Sequence, residues 1–234
     1  MTDVKALEMK GISKRFGGVH ALKGVDFNAY EGKVNVLMGE NGAGKSTLMK
    51  VLAGAIESDA GTIFIDGSEV QIHHPHDSLK NGVAMIYQEL NLVPTMTVEA
   101  NMNLGKEWVR RMGFVRIRDS VSRAQALLDS YNLDIDARAE VRDLSIAQQQ
   151  MLEIAKAIAS DAKIIVMDEP TSSLTKKEVD ALFTIIRQLT RERRTVIYIS
   201  HRMEEVFEIG DYVTVMRDGE LVGNTPSPRW TSPS

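Results

Sequence analysis

The sequence contains no cysteine, which excludes a disulfide framework and a thiolate metal site and fits a reducing compartment. It also lacks a long hydrophobic run, since nothing approaches the ~18 consecutive apolar residues that mark a membrane-spanning helix. The opening MTDVKALEMK carries acidic residues and no apolar stretch, so a secretory signal is not expected there. An excess of positive charge is missing too. Lys and Arg number 28 against 32 Asp and Glu, a formal net charge of −4, which argues against a nucleic-acid partner. What is present is the composition of a soluble globular protein, 43% hydrophobic and 26% charged in 234 residues. That length buries a sizeable core as one large or two small domains. No internal repeat is evident.

One stretch organises the rest. GENGAGKST, Gly39 to Thr47, fits G-x-x-x-x-G-K-[ST] and lies between an apolar run, Val34 to Met38, and a segment of helical spacing that Gly54 closes. Strand, glycine loop and helix in that order are the setting a phosphate-binding P-loop requires. Gly39, Gly42 and Gly44 reach backbone conformations closed to residues with a Cβ, so consecutive N–H groups, those of Asn41 and Ala43 among them, turn inward on a phosphate chain. The positive end of the following helix adds to this. Lys45 reaches the β- and γ-phosphate oxygens, its ammonium expected to face solvent until nucleotide binds. The Ser46 hydroxyl, with Thr47 beside it, is placed to ligate a magnesium ion bridging those phosphates.

Residues 5 to 30 alternate apolar and polar positions with breaks at Gly11, Gly17-Gly18 and Gly24, and the pattern returns from Thr62 to Ile72 around Asp66-Gly67. These are expected to be antiparallel strands and hairpins. Phe16 could stack on a nucleotide base with Val19 beside it, although taken alone an aromatic on a strand is more often core. Val83 to Ile86 form a short buried strand leading to Tyr87 and Gln88, whose polar side chain faces whatever occupies the P-loop. From Glu89 to Ser160 the period turns helical, over Val98 to Leu104, Val121 to Leu128 and Ile146 to Ile158. Arg110, Arg111, Arg116, Arg118 and Arg123 make this insert locally basic, which is usually no more than a solvated face.

Lys163 to Met167 is a continuous apolar strand suited to a buried parallel sheet, and Asp168, Glu169 and Pro170 follow at once. Thr175, with Glu178 three residues on, opens a capped helix whose apolar face is Val179, Leu182, Phe183, Ile186 and Leu189. Val196 to Ile199 then delivers Ser200 and His201, and a last hairpin runs through Tyr212 to Met216, Asp218-Gly219 and Glu220 to Val222. What remains, NTPSPRWTSPS, has no periodicity and is not expected to pack. The expected fold is α/β: a P-loop NTPase core on an open parallel sheet, with nucleotide at the carboxyl ends of its strands. Residues 1–225 form one domain, with the core and an antiparallel β part in 1–88 and 161–225 and a helical part in 89–160, and 226–234 are a disordered tail.

Apolar strands therefore end at the P-loop, at Gln88, at Asp168 with Glu169, and at His201, polar groups suited to one magnesium-nucleotide site. Asp168 has the place of a carboxylate that holds magnesium through its water shell. Glu169, one residue further out, could polarise the attacking water as a general base. His201 could hydrogen-bond the γ-phosphate or that water.

The stretch DLSIAQQQMLEIAKAI, Asp143 to Ile158, opens a helix ahead of the Asp168 strand, and MDEPTSSLT follows that strand. With these segments the chain resembles the ATP-binding cassette (ABC) ATPases over residues 4 to 223. More narrowly, LMGENGAGKSTLMKVLAG with LSIAQQQ is similar to the first cassette of the ATP-binding subunit of bacterial monosaccharide importers of the ribose, galactose, xylose and arabinose group. The resemblance implies ATP and Mg2+ as cofactors, and ATP sandwiched between the P-loop of one cassette and the signature helix of another. Phe16 matches the adenine-stacking aromatic, Gln88 the magnesium-sensing glutamine that couples to the permease, Glu169 the catalytic carboxylate and His201 the switch histidine. Ser145 and the N–H groups of Ile146, Ala147 and Gln148 would face the γ-phosphate of a partner's ATP.

Two departures are visible: Ile146 and Ala147 stand where the commonest signature has glycines, so a Cβ lies where backbone must approach phosphate, and Thr175 stands where aspartate is usual. The resemblance also implies partners: a second cassette, tandem in a full-length subunit or a homodimer, a membrane permease subunit, and indirectly a periplasmic sugar-binding protein. It implies a peripheral place at the cytoplasmic face of the inner membrane, the isolated piece being soluble. Subunits of that family carry two cassettes, so this chain is expected to be a fragment holding the first. ATP-driven sugar import is the function implied. The alternatives are a non-hydrolysing ATP-binding regulatory module and a related ATPase acting on nucleic acid or ribosomes, for which long coiled-coil insertions or a basic extension would be expected.

Overall fold

The computed structural model describes residues 3–104 and 117–227. The first strands, β1 (Lys5–Phe16) and β2 (Val19–Tyr30), form an antiparallel hairpin closing on Phe16↔Val19. β3 (Val34–Gly39) then leaves this layer and runs into α1 (Lys45–Leu52). The chain returns as β4 (Ala60–Ile65) and β5 (Ser68–Val70), joined by Asp66 and Gly67 at φ 49° and 76°. Positive φ at both central residues is the turn geometry that matches strand twist, and Asp-Gly supplies it. These strands make a four-stranded antiparallel sheet in the order β2-β1-β4-β5.

The second sheet is built from β3, β6 (Val83–Ile86), β7 (Ile164–Asp168), β8 (Thr195–Ile199), β9 (Tyr212–Arg217) and β10 (Glu220–Pro226), in the order β10-β9-β3-β8-β7-β6. All neighbours are parallel except β10, which turns back on β9. The remaining helices are α2 (Pro75–Lys80), α3 (Val98–Met102), α4 (Ile117–Ser130), α5 (Ile146–Ala159), α6 (Lys176–Arg191) and α7 (Met203–Ile209).

The continuous apolar runs of β7 and β8 follow from burial on both faces, every residue of each being buried. Successive side chains point to opposite faces. Ile164, Val166, Ile197 and Ile199 join the core shared with α1 and the antiparallel sheet. Ile165, Met167, Val196 and Tyr198 join the core shared with α5 and α6. That second cluster runs without a break from the sheet into Leu128 of α4 and Val98 of α3, so the helical insert and the sheet share one apolar interior.

Local signals read from the sequence place α6 as expected. The Thr175 N–H and hydroxyl both donate to Glu178 Oε2, at 2.7 and 2.8 Å, and these donors hold the Glu178 carboxyl below its ordinary range. Val179, Leu182, Phe183, Ile186 and Leu189 are all buried. One boundary is corrected. Residues 224–226, expected to be unpacked and partly tail, are strand: Asn224, Thr225 and Pro226 pair with Thr214, Val213 and Tyr212. The Ser227 N–H donates to the Asp211 carbonyl at 2.8 Å. The edge of β9 supplies backbone partners to any extended chain beside it, and proline is compatible with the end of an edge strand. Residues 228–234, and Arg110, Arg111 and Arg116 of the basic stretch, lie outside the described residues.

Candidate functional site

β3, flanked by β8 and β9, carries Gly39 at its carboxyl end, and the loop that follows is walled by backbone. A Cβ on Gly39 (φ 156°) would lie 2.3 Å from the Met216 carbonyl oxygen, and one on Gly44 (φ 98°) 2.7 Å from that of Ala21. Glycine is required at both by neighbouring strands as well as by φ. The turn between β9 and β10 clasps the same loop, with the Gly219 N–H donating to the Ala43 carbonyl at 3.2 Å and the Lys23 N–H to the Gly219 carbonyl at 2.9 Å. The sequence marks Asp218-Gly219 only as a hairpin turn, and a backbone carbonyl partner leaves no residue signal by which Ala21 or Gly219 could be found.

Gly44 occupies the N-cap of α1 with no side-chain cap, so the first N–H groups of the helix are left for an external acceptor. Lys45 corrects an expectation. Its ammonium does not face solvent: the residue is buried, and Nζ donates to the Gly39 and Glu40 carbonyls at 2.7 and 3.0 Å. A primary ammonium has three donors and no acceptor, and a glycine-rich loop offers it carbonyls at short range.

Above the loop lies a cleft of about 390 Å³, lined by residues 41–47 together with Ala21, Gln88, Asp168 and Glu169. Segments from three strand ends thus meet at one volume. Asp168 is buried, and burial pushes its carboxyl above the ordinary range, opposed by the Ser46 hydroxyl that donates to it and reinforced by the negative charge of Glu169. Hydroxyl, carboxylate and amide oxygens from Ser46, Asp168 and Gln88 are the hard donors that suit Mg2+. Among the described residues there is no cluster of three or more His, Asp or Glu able to hold a metal, so such an ion would take its other ligands from phosphate and water.

Glu169 sits in the left-handed backbone region, φ 47°, which costs a residue with a Cβ ~1–2 kcal/mol. Its N–H donates to the Ile199 carbonyl at 3.1 Å, joining the exits of β7 and β8. Its Oε1 is 2.9 Å from Nδ1 of His201. Other predicted residues stand apart. Phe16 and Val19 are 49% and 70% exposed at the tip of the β1–β2 hairpin, and the wall that β2 gives the cleft is Ala21. Ser145, Ile146, Ala147 and Gln148 form the start of α5 and do not line the cleft. There Ser145 Oγ accepts from the Gln148 N–H at 3.2 Å while Gln148 Oε1 accepts from the Ser145 N–H at 3.0 Å, a reciprocal capping box.

A protein-family model described as ABC transporter matches residues 22–172. Ribose import ATP-binding protein RbsA 1 of Rubrobacter xylanophilus is 51% identical over 217 residues, 93% of this chain and 43% of its own. RbsA of Geobacillus kaustophilus is 47% identical over 218 residues, 93% and 44% respectively. A putative ribose/galactose/methyl galactoside import ATP-binding protein of Burkholderia cenocepacia is 48% identical over 221 residues, 94% and 42%. The chain spans less than half the length of these curated relatives. Among solved structures, a nucleotide-free ATP-binding cassette from an ABC transporter superposes with a TM-score of 0.83 at 25% identity, covering 95% of this chain and 92% of that one. A dimeric cassette in a post-hydrolysis state bound to ADP and Pi superposes with a TM-score of 0.80 at 25% identity, covering 94% and 98%.

Proposed function

Because this chain belongs to the ABC transporter family of ATP-binding cassettes, we propose that it binds Mg2+-ATP in the cleft above its P-loop and hydrolyses it when paired with a second cassette, driving monosaccharide import through a separate permease. The observation that carries this reading is the convergence of Lys45, Ser46, Gln88, Asp168 and Glu169 on one cleft. The open N–H groups at the start of α1 and the Lys45 ammonium bind the phosphates, the ammonium exchanging two loop carbonyls for phosphate oxygens. Ser46, Asp168 and Gln88 would hold Mg2+, which neutralises phosphate charge when bound. The Glu169 carboxylate accepts the proton of the attacking water, and His201, already within hydrogen-bond reach of it, orients the pair.

The relatives named for ribose and galactose import support a monosaccharide as cargo, and the solved cassette dimer supports a two-cassette assembly, with Phe16 on the adenine and the start of α5 closing over a partner's γ-phosphate. A periplasmic sugar-binding protein would select the sugar. Among the described residues no helix is long and apolar enough to cross a membrane, so the place we infer, the cytoplasmic face of the inner membrane, comes from the permease.

The test is turnover against concentration. A lone chain supplies one half of each site, and a tethered second cassette would act at an effective concentration on the order of millimolar. Specific ATPase activity is expected to rise roughly in proportion to protein at the dilute end of a ~100-fold series. Brisk activity independent of concentration in a monomeric sample defeats the pairing, and no activity at any concentration with intact Mg2+-ATP binding favours a non-hydrolysing module. Pull-down of a sugar permease tests the coupling.

A further inference from the structure

Behind Glu169 and His201 lies a buried carboxylate that neither phosphate binding nor proton transfer employs. Glu205, on α7, is 6% exposed. Its Oε1 accepts from the Thr171 hydroxyl at 2.8 Å and from Arg202 Nη1 at 3.3 Å. Its Oε2 accepts from the Tyr198 hydroxyl at 2.9 Å and the Ser200 hydroxyl at 2.8 Å. Thr171, Tyr198 and Ser200 are buried as well, and Ser200 Oγ also accepts from the Arg202 N–H at 3.0 Å.

The carboxyl thus joins two chain segments: Oε2 is held by Tyr198 and Ser200 of the β8 end, while Oε1 takes Thr171 from the β7 exit together with Arg202. Thr171 follows Glu169 by one intervening proline, and Ser200 immediately precedes His201. Every hydroxyl in the cluster donates to Glu205, whose carboxyl accepts on both oxygens. Burying a carboxylate is costly unless it is fully hydrogen-bonded, and an apolar residue of similar shape would fill the space at lower cost. What the hydrogen-bonded carboxyl does that an apolar residue could not is join the donors of two chain segments.

We propose that Glu205 is a positioning residue for hydrolysis: its carboxylate ties the segment leaving β7 to the segment leaving β8 and thereby sets Glu169 against His201. The proposal rests on the reading of those two residues given above. Among the described residues, Glu169 itself is tied to the β8 segment through its N–H and through His201. Its side chain inherits its place from the strained backbone around it, and Thr171 is the nearest point where that backbone is pinned to the β8 exit by a side chain.

The test uses the full chain at a concentration where the parent turns over, with Glu205→Gln and Thr171→Val. Glutamine keeps the shape but replaces one accepting oxygen by an NH2 that faces either the Arg202 guanidinium, which cannot accept, or hydroxyls that must turn round, Ser200 Oγ already accepting from the Arg202 N–H, so the tie is weakened. We expect kcat to fall ~10- to 100-fold in Glu205→Gln with KM for Mg2+-ATP within about twofold. Thr171→Val should give a smaller fall of the same kind, and the double variant should be little worse than Glu205→Gln alone, because both cut one connection. Without added nucleotide, the ring resonances of His201, assigned by their loss in His201→Ala, should shift in Glu205→Gln. Parental kcat with unmoved His201 resonances overturns the proposal, as does a fall confined to KM. If Glu205→Gln does not fold, parental kcat and unmoved resonances in Thr171→Val overturn it. A parent without turnover at any concentration is a failure of the ATPase reading instead, and the His201 resonances then decide the question about Glu205.

Discussion

Two helix N-termini in this chain carry sequences that suit phosphate, and they are finished in opposite ways. At the start of α1, Gly44 holds the N-cap at φ 98° with no side-chain cap, and the loop before it is walled by the carbonyls of Ala21 and Met216. At the start of α5, Ser145 and Gln148 cap each other, and Nε2 of the Gln148 side chain donates to the Asp134 carbonyl at 3.1 Å. Ile146 there is 55% exposed. One end has donors in want of an acceptor and a concave wall around them. The other has its N3 donor satisfied from within and carries an exposed isoleucine in its first turn. An anion can be enclosed by the first alone but reaches the second only against another surface, which is the physical reason a single chain carries half of each proposed site.

The contrast can be broken or sharpened by substitution. The largest effect is expected from Glu169→Gln, which keeps Mg2+-ATP binding but lowers turnover ~10²- to 10⁴-fold, since an amide cannot take the proton of water. Turnover at the parental rate would leave Glu169 a structural residue only. Lys45→Ala should weaken nucleotide binding and lower turnover ~10²- to 10³-fold, with cooperative unfolding retained. Unchanged affinity and rate would remove the P-loop from the site.

A glycine pair then tests the wall itself. Gly44→Ala meets both a forbidden φ and the Ala21 carbonyl, whereas Gly42→Ala, at φ 84°, has nothing within 4 Å of its new Cβ. Gly42→Ala is expected to cost ~1–2 kcal/mol of stability from backbone strain and Gly44→Ala distinctly more, with nucleotide affinity lowered in both because both residues line the cleft. Equal denaturation midpoints would show that backbone contact contributes nothing. Ser145→Ala should give the smallest effect, ~1 kcal/mol from loss of the cap, read as a lower Tm. The Mg2+-ATP affinity of the unpaired chain should stay as it was, and a large drop there would erase the distinction between the two helix ends.

Much of this arrangement was legible before any coordinates. The runs of β7 and β8, the Thr175–Glu178 cap, the Asp66-Gly67 turn and the P-loop itself are local statements, in which residues a few positions apart determine each other's backbone. Period and cap chemistry follow from geometry that any folded chain shares. The departures have a common origin too. The place of the Lys45 ammonium, the pairing of residues 224–226, Ala21 in the wall of the cleft and the grip of Gly219 on Ala43 all involve main-chain groups, and the last joins segments far apart in sequence. Backbone carbonyls and N–H groups are the same at every residue, so nothing in the letters distinguishes the ones that end up as partners.

By itself, then, the sequence determined which side chains suited to a phosphate, a magnesium ion and a water stand at the ends of recognisable strands, the roles proposed for them depending on that chemistry. Only the tertiary structure decided that Gln88, Asp168 and Glu169 share one cleft with the P-loop while Ser145 does not. It also decided that a buried glutamate on α7 lies behind Glu169 and His201. Parallel strands bring their carboxyl ends to one edge whatever their separation along the chain, and which hydroxyls then fall within reach of a carboxylate is a matter of sheet order, not of spacing in the chain.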